Sequence, residues 1–76
     1  MNVNALKSRM VLNGMSVIDL LVEIERRFNV KMSKSAFYRK LNGSSEFDRK
    51  EMIAIAGCLE IDTATLVTIF FGEKVS

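Results

Sequence analysis

Residues 32 to 43 read Met-Ser-Lys-Ser-Ala-Phe-Tyr-Arg-Lys-Leu-Asn-Gly, a short cationic helix with a capped start and a marked stop. Ser33 is the natural N-cap, its hydroxyl placed to accept from a backbone N–H that has no partner within the helix. Met32 and Phe37 flank that cap at the spacing of a hydrophobic staple. Asn42-Gly43 supplies residues that tolerate the turn at a helix end. Only Phe37 and Leu41, four apart, have the spacing and character of core residues, which leaves Lys34, Ser35, Tyr38 and Arg39 pointing elsewhere. Those four side chains donate hydrogen bonds or lie flat on a partner.

The same start and stop signals mark four further helices. The first spans about Asn4 to Leu12, with Leu6 and Met10 on one side, and Asn13-Gly14 ends it. In the second, Ser16 is the N-cap, Asp19 completes a capping box, and Met15 and Leu20 form a staple. Its apolar face carries Val17, Leu20, Leu21, Ile24 and Phe28, and Asn29 is the expected left-handed stop. The fourth begins at Phe47-Asp48, with Asp48 as cap, Glu51 closing the box and Phe47 reaching Met52. Its inner stripe is Met52, Ile55, Ala56 and Leu59, which puts Ile53 and Cys58 nearer the surface. The fifth follows Ile61-Asp62, with Leu66, Ile69 and Phe70 inward and Gly72 as its C-terminal cap. Val67 and Phe71 are in excess of what the core needs. Gly57 is expected at a close helix approach. With no proline, no repeat and no strand-like alternation, the predicted fold is all-α, one domain over residues 1–76.

A chain of 76 residues buries only about 60% of the surface its unfolded form exposes. A hydrophobic content of 49% is high for so small an interior, and such a surplus usually ends in an interface. A homodimer is expected, with Ile53, Val67 and Phe71 as its contacts. The net charge of +2 is unevenly laid out. From Arg26 to Lys50 eight basic residues face only Glu46 and Asp48, a balance of +6, while the remainder has three basic against seven acidic, a balance of −4. A basic middle between acidic ends suits a polyanion on one face.

Several classes are excluded. A lone Cys58 forms no internal disulfide, and without histidine or a second cysteine there is no thiolate or imidazole metal site. A reducing cytoplasm fits best. No apolar run approaches the roughly 18 residues of a membrane span, and the start lacks the pattern of an export signal. Catalysis needs convergent groups in a pocket. This chain has no histidine, no base beside Cys58 and no phosphate-cradling glycine loop, so it is expected not to be an enzyme and to need no cofactor or small-molecule substrate.

Helix, Asn-Gly turn, capped second helix, basic third helix and two closing helices together resemble the compact five-helix domain of the lambda repressor and Cro family, whose helix-turn-helix comprises helices two and three. The resemblance covers nearly the whole chain. It looks especially like small phage and prophage regulators in the segment Ser33 to Gly43, followed by Glu46-Phe47 and the helix from Asp48 to Leu59. It implies a transcription regulator, such as a repressor, acting on double-stranded operator DNA with an inverted repeat in a bacterial host. The helix from Ser33 to Asn42 then lies in the major groove, with its first side chains at the base edges. Lys34, Ser35 and Arg39 are the implied base readers. Tyr38 either joins them at a thymine methyl or a sugar, or packs over the edge of helix two. Ser16, Ser33, Lys40, Asn42, Ser44, Ser45, Arg49 and Lys50 are the implied phosphate contacts, setting register without reading sequence.

Two departures stand out. Many relatives place a glutamine at the first turn of helix two to hold a phosphate, and this chain has Val17 there. The motif's turn normally has about three or four residues, and here both helix two and the turn are lengthened, by about six residues near Glu25 to Lys31. Arg26, Arg27 and Lys31 in that insertion either reach the DNA backbone or decorate a longer helix. The alternative function is a small phage modulator or anti-repressor that uses the same fold to bind another regulator protein.

Overall fold

Caps made by side chains three residues apart decide where the helices begin. In the computed structural model, which describes residues 1–71, the chain forms α1 (Val3–Leu12), α2 (Val17–Phe28), α3 (Lys34–Leu41), α4 (Arg49–Leu59) and α5 (Thr63–Phe71), with no strand among the described residues. Asn2 caps α1 by accepting from the Ala5 N–H at 3.0 Å. At α2 the box is complete: the Ser16 hydroxyl accepts from the Asp19 N–H, and the Asp19 carboxylate accepts from the Ser16 N–H. Those bonds favour the ionised carboxylate and hold Asp19 below its ordinary range. Asp48 and Glu51 repeat the box at α4. At α5 the Asp62 carboxylate accepts from the Thr65 N–H, which likewise lowers its pKa.

The helix ends are less uniform. Gly14 and Gly43 sit at positive φ, as the Asn-Gly pairs require, and Asn29 takes the left-handed conformation with φ 57°. Glu60 does the same at φ 55°, ending α4 where nothing in the sequence marked a stop. What holds it is the residue after it: the Ile61 N–H donates to the Ala56 carbonyl at 2.9 Å, and the Ile61 side chain is buried. The expected cap at Gly72 lies outside the described residues.

One core joins all five helices, built on Leu6, Leu20, Ile24, Phe37, Ile55, Leu59 and Ile69. Phe37, Phe47 and Phe70 run through it edge to face, with ring centroids 5.8 and 5.5 Å apart. The beginning of the chain is tied to α5 by the Asn2 N–H, which donates to the Ile69 carbonyl at 2.7 Å. Asn13 ties the end of α1 to the end of α4, its amide donating to the carbonyls of Arg9 and Leu59.

The central helix α4 buries more than the single stripe expected of it. Ala54 and Cys58 are buried along with Ile55, Ala56 and Leu59, because α2 packs along one side of α4 while α5 contacts it too. Cys58, expected near the surface, is therefore corrected to a core residue at 2% exposure, and burial pushes its thiol pKa up. Next to it Gly57 meets α2 closely, as expected of that glycine. A Cβ there would lie 2.3 Å from Cζ of Phe28, so the Phe28 ring occupies the space a side chain would need. Phe28 itself remains partly exposed at this edge of the seam.

Candidate nucleic-acid interface

The eight-residue α3 is held from one side. Ser33 accepts from the Ala36 N–H at 3.0 Å, and Phe37 and Leu41 are both buried. At about 100° per residue, Ser35 and Arg39 project opposite those anchors, with Tyr38 beside them and Lys34 nearer one flank. All four are exposed, and the Tyr38 ring meets only the neighbouring Phe37 ring, edge on, at 6.0 Å among the aromatic contacts of the described residues. No carboxylate stands in the first turn of α3. Its N-terminal partial charge and the Lys34 ammonium therefore add rather than cancel.

Ser33, Asn42, Ser44, Ser45, Arg49 and Lys50 are likewise exposed, spread over the start of α3, the 42–48 connection and the start of α4. The Asn42 and Ser44 N–H groups close the end of α3 by donating to the Tyr38 and Arg39 carbonyls, which leaves the Asn42 side chain on the outside.

Two of the expected phosphate contacts are placed differently. Lys40 does not stand free: its Nζ lies 2.6 Å from both carboxylate oxygens of Glu51, with only 18% of its side chain exposed. An ammonium so engaged has a partner already, so Lys40 is removed from the phosphate set. Ser16 is exposed, yet its hydroxyl and N–H are both used in the capping box, and the Asp19 carboxylate sits at that helix end. An anion approaching the start of α2 meets a negative charge first, so Ser16 too is withdrawn as an anchor.

The segment from Glu25 to Lys31 is mixed. Arg26 bonds Glu23 within α2, Nη2 to Oε1 at 2.6 Å, and that pairing raises its pKa. The Arg27 guanidinium lies over the Phe28 ring, 5.7 Å from its centroid, and Lys31 is exposed in the 29–33 connection to α3. Glu51, which also serves the Asp48 cap, is buried and carries a second oxygen that needs a partner, but Lys40 stands 11 positions away and no local pattern in the residues joins the two.

No protein-family model, curated protein or solved structure matches this chain. Among the described residues no three His, Cys, Asp or Glu side chains come together as a metal site, and no helix is long and apolar enough to cross a membrane.

Proposed function

We propose that this chain is a sequence-specific, double-stranded DNA-binding transcription regulator of the lambda repressor and Cro kind, in which α2 and α3 act as a helix-turn-helix. The observation that carries the reading is the outer face of α3, where Lys34, Ser35, Tyr38 and Arg39 stand exposed while Phe37 and Leu41 anchor the helix from behind. Lys34, Ser35 and Arg39 read base edges in the major groove, with Tyr38 alongside. Ser33, Asn42, Ser44, Ser45, Arg49 and Lys50 contact phosphates. The fit of a cationic, carboxylate-free helix start to a polyanion supports this arrangement.

Selection of bound sequences from a random duplex pool, followed by titration over a range of salt, tests it. Arg39→Ala is expected to weaken binding to the selected duplex by about 1–3 kcal/mol and to relax base preference at one position. Asn42→Ala is expected to weaken all duplexes alike. Equal binding by native chain and Arg39→Ala across the panel would remove Arg39 from the readers.

The regulator acts as a homodimer on an inverted repeat. Ile53, Val67 and Phe71 support this, since all three are exposed, Phe71 at 67%, and Val67 and Phe71 share one face of α5. A groove of about 260 Å³ beside Phe71 has Met1, Met52 and Phe70 in its walls, together with Lys40, Ser45 and Glu46. Sedimentation is expected to give two chains per selected duplex, and Phe71→Asp to reduce this to one. A stoichiometry of two in Phe71→Asp would move the contact elsewhere.

A second reading, a modulator that grips another regulator protein, draws support from Ile18 and Val22, which are exposed one turn apart on α2. Retardation of random duplex at low salt separates the two. Non-specific DNA binding falls at about 10⁻⁴ to 10⁻⁶ M at physiological salt and tightens as salt falls. No retardation at micromolar protein favours the modulator.

A further inference from the structure

The outer face of α3 is useful only if the helix cannot roll. Phe37 and Leu41 lie one turn apart, nearly on a line along the helix, and two points on a line leave rotation about it unopposed. The third point is Lys40. It projects about 60° to one side of Phe37, toward α4, where its Nζ is 2.6 Å from both oxygens of Glu51. Glu51 is itself held on a second side: it is 8% exposed, and its Oε1 also accepts from the Asp48 N–H at 2.9 Å as part of the α4 cap. The Phe47 ring, 6.0 Å from Nζ, closes the cationic side. A single carboxylate thus ties the last turn of α3 to the first turn of α4 across the 42–48 connection.

We infer that Lys40 and Glu51 are positioning residues of the DNA-reading surface. Their ion pair sets the roll of α3 and so decides which way Ser35, Tyr38 and Arg39 face, while Lys40 itself touches no phosphate. The inference rests on the DNA-binding reading for its consequence, and on the latch alone for its geometry.

The test uses the full chain carrying Lys40→Met together with Glu51→Gln. This pair removes both charges, keeps an acceptor for the Asp48 N–H, and leaves no unpaired buried carboxylate to unfold the domain. Two measurements are made. Amide chemical shifts and relaxation of α3 report the latch without DNA. The expected result is displaced, more mobile Ser35, Tyr38 and Arg39 amides with the α1 and α5 amides unchanged, and an unperturbed α3 overturns the inference. Binding to the selected duplex and to random duplex across salt reports the consequence. Affinity for the selected duplex is expected to fall about tenfold, the scale of one lost base contact. Random duplex is expected to be bound as before, with the slope of log K against log salt unchanged. A slope smaller by about 0.9 shows a lost phosphate contact and overturns the inference, as does unaltered discrimination. Should the native chain bind no duplex at all, the DNA reading fails, and the α3 amides still decide whether the latch exists.

Discussion

Phe37→Ala is expected to destabilise the domain by about 3–5 kcal/mol, the cost of emptying a large aromatic site in a core that only partly relaxes. Phe37 is fully buried, and its ring meets that of Phe47 edge on at 5.8 Å, with Phe47 in turn meeting Phe70 at 5.5 Å. Such pairs add about 0.5–1.5 kcal/mol each beyond the area they cover. A small domain has a total stability of only about 5–15 kcal/mol, so this one change consumes much of it. The loss is concentrated at α3, because an eight-residue helix does not persist alone in water and Leu41 would be its one remaining apolar anchor. Urea titration followed by far-ultraviolet circular dichroism measures the loss, and amide exchange is expected to show α3 opening first. A loss under about 1.5 kcal/mol would mean that the surroundings collapse into the vacated site, well below the range for such truncations.

Lys40→Met is the second large effect, at about 3 kcal/mol. The side chain is nearly conserved in length, so the loss comes from charge rather than volume. It leaves the Glu51 carboxylate 8% exposed with the Asp48 N–H as its remaining partner. Removing one member of a buried pair typically costs about 3–5 kcal/mol, and the low end applies because part of the Lys40 side chain is in water. Adding Glu51→Gln is expected to restore most of the stability, since the stranded charge is then gone. A double-mutant cycle on urea midpoints gives the coupling. Additive losses would show that the ion pair contributes nothing beyond the separate side chains.

These two residues also mark where sequence reading succeeds and where it stops. Phe37 was legible as core, and Lys34, Ser35, Tyr38 and Arg39 as exposed, because a 3.6-residue period sorts a short helix into faces. The caps at Ser16, Ser33 and Asp48 were legible for a related reason: each bond spans three residues, so both partners stand in one short window. Asn29 in the left-handed region belongs to the same class, whereas Glu60 at φ 55° does not. Its conformation is imposed by the burial of Ile61, which depends on where α5 packs. Lys40 with Glu51 is separated by 11 positions, and Asn13 with Leu59 by 46, and no local pattern predicts such partners. Cys58 lies off the single stripe that a 3.6-residue period gives α4, and it is buried because that helix has neighbours on more than one side. For the candidate site, residue types and exposure could be read from the chain, and the pairing that removes Lys40 from it could not.

The Phe28 ring seated over Gly57 has a practical consequence. The adjacent Cys58 is the sole thiol of the chain, it is buried, and the charges that bear on it come from Arg27, Glu23 and Arg26 of α2. A thiol reagent reaches it only when α2 lifts away from α4. In the native protein, the rate at which such a reagent reacts is therefore a clock for the breathing of that seam, requiring no engineered probe.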